Sequence, residues 1–371
     1  MAIKIRFVED SPIDSQCVRD FYSENWKKKT ALSEKIFYDW QFIYTPNSDE
    51  KDHCVIAYDD KKKVIGVMGL NKRTFFLNNK SKNGAELTTW IVTKDVIGSG
   101  IGVKILKFIQ SKFDVLIGMG ITDLALPIYM RSGFRYIRSI PRFIKVLNFK
   151  SIKPYSNYTN LAYKLIRKWD VKSKVEFCIS EVTKNNYDKI IILKKSRFNF
   201  FSRDNKHRLW RYTKHPIFKY KQFLISNPKK DRQVKAFVAI REETSIKDFK
   251  ILHIIDFFGD DSCLPSAISF IENYANKESF DVIDFYCTTS SIYRFMLSSG
   301  WFSINDDTCI QFPHLFHPVE MRNPPTTSLI YWSKYNLSDM ADISKLYITK
   351  QDADFDRPTL HTINSNPKLY A

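Results

Sequence analysis

Apolar and polar residues along the chain form a series of short patterns that are typical of β-strands and amphipathic helices. Six apolar stretches rich in β-branched or aromatic residues, each bounded by charged turns, predict strands at 53–60, 63–70, 86–92, 222–226, 235–242 and 251–259. Apolar residues at three-to-four spacing then predict a helix over 102–113 in the first half and over 264–276 in the second. A further apolar strand follows each helix.

The two halves of the chain also share landmarks in the same order. In "FYDWQFIYTP" and "HRLWRYTKHP" a tryptophan, Trp40 or Trp210, stands six positions before a proline. A glycine in a serine-glycine-aromatic turn comes 93 residues after Trp40 (Gly133) and 90 residues after Trp210 (Gly300). Two local matches at nearly the same offset indicate an internal repeat of one domain.

This repeat predicts an α/β (α+β) chain of two tandem domains, each with helices packed on a mixed sheet. We expect the domains at 1–150 and 176–335, with a linker around 151–175 and a C-terminal segment at 336–371. A helix carrying Trp40 is predicted near 32–42, and a last strand at 328–332.

Composition and charge exclude only a few classes of protein function. The chain has 371 residues, 44% hydrophobic, with a formal net charge of +18 spread along its length. A charge of this sign attracts anions in general, but no nucleic-acid-binding module is recognisable, so we expect no nucleic-acid partner. No apolar stretch reaches the roughly 18 residues of a membrane span, and the first residues are charged. We expect a cytoplasmic protein without membrane insertion.

Cysteines and histidines give no metal signal. The six cysteines are scattered without a CxxC pair, which favours reduced thiols, and the seven histidines lack ligand spacing. Alternating carboxylates near the C-terminus lack the glycine and distal glutamate of a calcium loop. We expect no metal.

The glycine-rich stretch "VIGSGIGVKILKFI" (96–109) is the first candidate for chemistry. Bare backbone at a helix start presents free N–H groups and the positive end of the helix dipole, a combination that binds phosphate. The Walker sequence G-K-[ST] is missing, and the spacing G-x-G-x-G is not the dinucleotide fingerprint. A turn without any ligand is the plain alternative.

The longer stretch "WIVTKDVIGSGIGVKILKFI" resembles motif A of the GNAT superfamily, the GCN5-related N-acyltransferases. The resemblance implies that this loop and helix start bind the pyrophosphate of coenzyme A, and that backbone N–H groups at the preceding strand end polarise the thioester carbonyl. The Arg or Gln that begins the family's loop is Ile97 here. The residues so implied are Trp90, Ile91, Val92, Ile97, Gly98, Ser99, Gly100, Ile101 and Gly102.

Two side chains are implied as catalytic by the same resemblance. "ALPIYMRSGF" matches a pattern in which the tyrosine, here Tyr129, donates a proton to the departing coenzyme A thiolate. Glu86 lies on the strand where the family often places a carboxylate that receives the amine proton through water. The alternatives are an aromatic core residue for Tyr129 and a solvated charge at a strand edge for Glu86.

The second copy carries "IDFFGDDSCLP" where the glycine loop should be. Asp260 and Asp261 would repel a pyrophosphate at this position. We therefore expect one active site per chain, with the second domain shaping the acceptor site.

Several further stretches resemble tandem GNAT N-acyltransferases that act on nucleotide-linked amino sugars. They are Trp40-Gln41 in "FYDWQF", the stretch "WRYTKHP" and the tail "ITKQDADFDRP". The resemblance implies an enzyme of EC 2.3.1 type that moves a 3-hydroxybutanoyl or acetyl group from acyl-CoA to a dTDP-linked amino-deoxy sugar. Such a product serves surface polysaccharide synthesis (O-antigen, lipopolysaccharide or capsule). Each domain would then be GNAT-like, with a mostly antiparallel sheet.

Charge suggests where an amine and a diphosphate could bind. The tail segment combines carboxylates for an ammonium group with an arginine for phosphate: Asp352, Asp354, Asp356 and Arg357. A charged C-terminal loop is the alternative. Three other functions stay open: a Fem-type transferase that uses aminoacyl-tRNA, a non-catalytic binding protein on the same scaffold, and protein N-acetylation.

Overall fold

The computed structural model describes most of the chain. The described residues are 2–26, 30–153, 176–184, 186–187, 197–228, 233–245, 248–304, 312–313, 315–316, 319–320, 327–335, 338–352 and 356–358. The predicted linker therefore lies almost wholly outside the described residues, as does Asp354.

Seventeen strands and nine α-helices make up the described part of the chain. The strands are β1 (Lys4–Phe7), β2 (Val55–Tyr58), β3 (Val64–Leu77), β4 (Lys80–Val92), β5 (Val115–Met119), β6 (Arg135–Ile137), β7 (Arg142–Val146), β8 (Cys178–Glu181), β9 (Phe200–Phe201), β10 (Tyr220–Ser226), β11 (Val234–Thr244), β12 (Lys250–Gly259), β13 (Val282–Tyr286), β14 (Phe302–Ser303), β15 (Leu315–Phe316), β16 (Val319–Glu320) and β17 (Leu329–Ser333). The helices are α1 (Ser15–Asn25), α2 (Lys35–Tyr38), α3 (Ile101–Lys112), α4 (Leu126–Arg131), α5 (Phe149–Ile152), α6 (Asn205–Arg208), α7 (Leu264–Lys277), α8 (Ser290–Ser298) and α9 (Ser338–Ala341).

Two large sheets, one for each half of the chain, form the frame. The first has the strand order β1-β2-β3-β4-β5-β17-β6, with β9 paired to β3, and the second has the order β14-β7-β13-β12-β11-β10-β8. In each sheet one parallel pair, β4 with β5 or β12 with β13, stands among antiparallel pairs. The expected mixed and mostly antiparallel sheet is confirmed in both halves.

The two sheets exchange one strand each. Strand β7 belongs to the first half of the sequence but pairs with β13 and β14 of the second sheet. Strand β17 belongs to the second half but pairs with β5 and β6 of the first sheet. The backbone hydrogen bonds that these strands need are thus supplied by the other half, which ties the two halves together.

Equivalent helices pack on equivalent strands because their apolar faces match. Ile105, Leu106 and Ile109 of α3 are buried against the first sheet together with Ala85 and Leu87 of β4. In the second half, α7 buries Ile268 and Ile271 against β12 in the same way. The predicted helices at 102–113 and 264–276 agree with α3 and α7 to within one residue at each end.

The predicted helix at 32–42 is interrupted. A 3-10 turn (Ala31–Ser33) precedes α2, which runs into a π-helical turn at Asp39–Ile43. The second copy has the same arrangement, in which α6 is followed by a π-helical turn at Leu209–Thr213. Such wide turns are rare and occur often at functional sites. Each one carries the tryptophan of its repeat.

Within the described residues no helix has both the length and the apolar character required to cross a bilayer. Five of the six cysteines are described, and all five are free thiols.

Candidate active site

A cleft opens in the first sheet where β4 and β5 separate. The two strands pair in parallel from Gly84 and Val115 as far as Leu87 and Gly118, whereas β4 continues to Val92 paired only with β3. A bulge in β4, opposite Gly69, turns the strand at this point. Beyond Leu87, no described strand pairs with β4 on its β5 side, although the carbonyl oxygen of Thr89 accepts a hydrogen bond from the hydroxyl of Tyr22 (3.4 Å).

The glycine-rich loop lies next to this cleft. Gly98 has φ 87° and Gly100 has φ 83°, and a Cβ at either position would find no atom within 4 Å. The first bond of α3 runs from the N–H of Lys104 to the carbonyl oxygen of Gly100 (3.1 Å). The N–H groups of Ile101, Gly102 and Val103 therefore lack helical partners and point out of the helix start. This geometry suits a pyrophosphate.

Trp90 connects the loop to Tyr129. A Cβ on Gly102 would lie 2.8 Å from Cζ2 of Trp90, so only glycine lets the helix start approach the indole. The Trp90 ring meets the Tyr129 ring edge-on, with centroids 5.1 Å apart. The nitrogen of the indole is buried and has no hydrogen-bond partner in the described chain. Of the predicted strand-end residues, Ile91 and Val92 are half-buried beside it.

Tyr129 is 2% exposed, between Trp90 and Phe134. Burial raises the pKa of its hydroxyl, which keeps the phenol protonated at physiological pH. No hydrogen bond of this hydroxyl is present among the described residues, so its proton is available to a bound molecule.

Ile97 lies apart from these contacts. Its side chain is 66% exposed. A hydrogen bond within the loop stabilises it instead: the Oγ of Ser99 donates to the carbonyl oxygen of Val96 (2.6 Å).

The matching cleft of the second sheet is filled by the chain itself. β12 and β13 also separate, after Ile254 and Phe285. The segment Leu346–Asp352 lies between them: the N–H of Thr288 donates to the carbonyl oxygen of Ile348 (3.1 Å), and the Oγ1 of Thr349 donates to Asp256 (2.8 Å). Tyr347 donates from its hydroxyl to the carbonyl oxygen of Phe257 on β12. We call Leu346–Asp352 the plug.

The loop before α7 is closed as well. Asp260 accepts a hydrogen bond from the N–H of Ser262 (2.9 Å), and Asp261 pairs with Arg197 and accepts from Ser291. A Cβ on Gly259 would lie 2.3 Å from the carbonyl oxygen of Lys235. Carboxylates therefore take the place that an anion would need.

Glu86 is not a solvated charge at a strand edge, because β4 is a central strand and the residue is only 5% exposed. One carboxylate oxygen lies 3.5 Å from Nδ2 of Asn71 and 3.6 Å from Nη1 of Arg73. Ala85 and Leu87 face α3, so Glu86 faces the opposite side of the sheet, toward the second half of the chain.

Two adjoining cavities lie on that side. The inner chamber has a volume of about 20 Å³ and is lined by Phe37, Trp40, Gln41, Asn71, Glu86, Trp210, Arg211, Gln351, Asp356 and Arg357. The outer groove has a volume of about 610 Å³ and is lined by Lys35, Ile36, Asp39, Trp40, Tyr44, Thr45, Pro46, Asp49, Glu50, Trp210, Lys214 and Pro216. Trp40 and Trp210 line both.

Of the four tail residues, three are described and two of those are committed to ion pairs. Asp352 lies 3.2 Å from Arg73 and also pairs with Arg203, and Asp356 lies 2.8 Å from Arg241 and 3.3 Å from Arg211. Burial raises the pKa of Asp356, but Arg241 and Arg211 outweigh it and hold that pKa well below its ordinary value. Arg357 and Asp356 line the inner chamber, whereas Asp352 does not.

Gln41, Asn71, Arg211 and Gln351 line the inner chamber without having been singled out as site residues. The pattern "FYDWQF" drew attention to Gln41 through its neighbour Trp40, but Asn71 lies in an apolar strand that gives no sign of a site. Only the pairing of β3 with β4 places it directly opposite Glu86.

Two histidines border the site in neutral form. Nδ1 of His215 accepts from the N–H groups of Ile217 (3.1 Å) and Phe218 (2.9 Å), which leaves the proton on Nε2. Burial lowers the pKa of His215 well below its ordinary value, and Arg211 adds to the effect. Burial and Arg73 do the same to the pKa of His207. Among described residues, no cluster of three or more metal-ligating side chains occurs.

Comparison with known proteins identifies the fold. Residues 16–125 match the acetyltransferase (GNAT) family. No curated protein sequence matches the chain.

Three solved structures resemble the chain at low sequence identity. A probable N-acyltransferase of unknown function from Enterococcus faecalis is 8% identical, with a TM-score of 0.57 over 90% of this chain and 72% of that one. A GCN5-related N-acetyltransferase from Anabaena variabilis is 11% identical, with a TM-score of 0.52 over 88% and 72%. The N-myristoyltransferase of Saccharomyces cerevisiae, bound to myristoyl-CoA and inhibitors, is 13% identical, with a TM-score of 0.51 over 89% and 79%. The chain has the GNAT fold, and two GNAT-like units in tandem account for its two sheets.

Proposed function

We propose that this protein is an acyl-CoA-dependent N-acyltransferase with one coenzyme A site, in the first copy. The observation that carries the proposal is the contrast between the two clefts. In the first, β4 has no strand partner on its β5 side beyond Leu87 and a glycine loop starts α3, whereas the plug fills the second. A scaffold without a ligand would have no reason to keep the first cleft open and the second closed.

Coenzyme A would supply the acyl group as an activated thioester. The N–H groups of Ile101, Gly102 and Val103 would hold its pyrophosphate, and the exposed backbone of β4 near Trp90 would polarise the carbonyl. Positioning is a large part of the catalysis, because thioesters are already reactive.

The remaining steps are proton movements. The amine nitrogen attacks the carbonyl carbon, the carbon–sulfur bond breaks, and an amide forms. Tyr129 is placed to give a proton to the departing sulfur, because its hydroxyl is protonated and has no other partner among described residues. Glu86 is placed to take the amine's proton, directly or through a water molecule. The net reaction converts an ammonium group and a thioester to an amide, a thiol and one released proton.

For the acceptor we propose a dTDP-linked amino-deoxy sugar that receives a 3-hydroxybutanoyl or acetyl group in the cytoplasm for surface polysaccharide synthesis. The tail "ITKQDADFDRP" and the tryptophan motifs support this choice by resemblance. The outer groove, at about 610 Å³, has the size of a small-molecule site. Lys214 on its wall could face a diphosphate, whereas Lys35 pairs with Asp39, and Asp49 and Glu50 line the same groove. Asp352 and Asp356 would then shape the site through their arginine partners, and Arg357 could reach the acceptor directly.

Calorimetric titration with acetyl-CoA and with 3-hydroxybutanoyl-CoA tests the proposal. We expect one binding event in the wild type and none in Gly100→Glu, because the new carboxylate would repel the pyrophosphate. Ser262→Glu places the same charge on the corresponding loop of the second copy and should leave binding unchanged. The thioester that binds more tightly then serves as the acyl donor in a screen of amino sugar acceptors.

Failure of the wild type to bind either thioester would overturn the proposal. An aminoacyl-tRNA-dependent transferase or a non-catalytic binding protein would then be the better explanation of the fold. Equal binding by Gly100→Glu and the wild type would instead show that coenzyme A binds at a place other than the loop.

A further inference from the structure

The inner chamber has room for a single small polar group. Its volume of about 20 Å³ is close to the minimum that holds one water molecule. The outer groove is some thirty times larger by the same measure, at about 610 Å³, and the two cavities share Trp40 and Trp210. An acceptor that occupies both must place one atom inside and its body outside.

The walls of the chamber present unsatisfied oxygen atoms. Oε1 of Gln41 and Oδ1 of Asn71 are buried and have no hydrogen-bond partner in the described chain, although each residue is only 3% exposed. A buried acceptor without a donor is unfavourable, so a ligand donor at this place would be favoured. The Asn71 amide is oriented by its contact with Glu86, which leaves Oδ1 directed elsewhere.

The third oxygen group is the Glu86 carboxylate itself, on the same wall. Three acceptor groups on this wall match an amino group, which offers up to three N–H donors. Arg357 and Arg211, the latter paired with Asp356, line the same chamber. A hydroxyl offers one donor and would leave acceptors unsatisfied. A nitrogen with a second carbon substituent would be too large for the space.

We infer that Gln41 and Asn71 bind the acceptor's nitrogen beside Glu86 and restrict the enzyme to unsubstituted primary amines, with the rest of the acceptor in the outer groove. This inference rests on the proposed function. Gln41 and Asn71 are specificity-determining residues in this arrangement, since neither exchanges a proton with the substrate.

The test uses acetyl-CoA with two nucleophiles that need no outer groove: hydroxylamine and N-methylhydroxylamine. Both give hydroxamates that form coloured iron(III) complexes. We expect wild-type kcat/KM to be roughly tenfold or more lower for the N-methyl compound, after correction for the uncatalysed reaction, because one methyl group exceeds the chamber.

Variants at the two oxygens give an independent readout. We expect Gln41→Leu and Asn71→Leu to raise the KM for hydroxylamine roughly tenfold while the Kd for acetyl-CoA stays within twofold. Gln41→Glu keeps an oxygen acceptor and should retain a KM near that of the wild type. Ser81→Leu, at an exposed site on the same strand as Glu86, is the control.

The outcomes separate this inference from the proposed function. Suppose that acetyl-CoA binds and hydroxylamine is acylated, but the leucine variants have the wild-type KM and N-methylhydroxylamine has the same kcat/KM as hydroxylamine. The inference is then wrong and the transferase proposal stands. If the wild type neither binds acetyl-CoA nor acylates hydroxylamine, the proposed function fails and this inference fails with it. Unchanged acetyl-CoA binding shows that a variant is folded.

Discussion

Trp40 and Trp210 stack on each other and exchange hydrogen bonds reciprocally. Their ring centroids are 4.9 Å apart with an interplanar angle of 15°. Nε1 of Trp40 donates to the carbonyl oxygen of Trp210 (3.0 Å), and Nε1 of Trp210 donates to that of Trp40 (2.7 Å). The two residues that identified the repeat in the sequence are thus each other's partners in the structure, and they stand between the outer groove and the inner chamber.

This pair should contribute strongly and cooperatively to stability. We expect Trp40→Ala and Trp210→Ala each to lower the free energy of unfolding by about 3–5 kcal/mol, since each empties a packed site. The double variant should lose at least about 1 kcal/mol less than the sum, because both single changes remove the same stack and the same bonds. Urea unfolding measures all three, with the more exposed Trp26→Ala as control. Strict additivity would mean that the two contacts act independently.

Tyr129→Phe separates catalysis from binding. The change removes only a hydroxyl that has no partner within the described chain, so folding and acetyl-CoA affinity should be unchanged. We expect kcat for acetyl transfer to hydroxylamine to fall on the order of a hundredfold, the usual contribution of a positioned proton donor. Tyr335→Phe, at an exposed tyrosine, is the control. An unchanged kcat would reduce Tyr129 to a packing residue.

Thr349→Val tests the plug. The substitution keeps the shape of the side chain but removes the hydroxyl that donates to the fully buried Asp256. We expect a loss of about 1–3 kcal/mol in the free energy of unfolding, with Thr183→Val, at an exposed site, close to neutral. Acetyl-CoA should still bind once per chain with unchanged Kd, because the first cleft is untouched. A second binding event in the wild type would show that the plug leaves its cleft.

His215 should make stability depend on pH on the acid side of neutrality. Its pKa is lowered in the folded state, so below about 6.5 the unfolded chain takes up the proton first and stability falls as pH falls. Each such histidine can remove up to about 1.4 kcal/mol per pH unit, and His207 acts in the same direction.

His215→Asn isolates the contribution of this residue. An asparagine oxygen can still accept from the N–H groups of Ile217 and Phe218 but does not titrate. Urea unfolding at pH 7.5, 6.5 and 5.5 should show a smaller loss than in the wild type, with the remainder due to His207 and His53, whose pKa values are also lowered. If the free energy of unfolding depends on pH equally in both proteins, groups other than His215 cause the loss of stability at acid pH.

The sequence by itself determined the repeat, the fold class and the positions of the main elements. Local periodicity placed α3 and α7 to within a residue, because an amphipathic helix carries its own pattern. The glycine loop was also readable, since Gly98 and Gly100 take positive φ angles and Gly102 packs closely against Trp90, which are conformations and contacts that favour glycine. The π-helical turns were missed because their hydrophobic pattern differs little from that of an α-helix over five residues.

Only the tertiary structure decided what depends on pairing between distant parts of the chain. The exchange of β7 and β17 and the plug in the second cleft join residues far apart in sequence. The register of β3 against β4 places Asn71 opposite Glu86. The charged tail looked free to bind a substrate, yet Asp352 and Asp356 meet arginines more than a hundred residues away. A local pattern records which face of an element is buried, but not which element covers it.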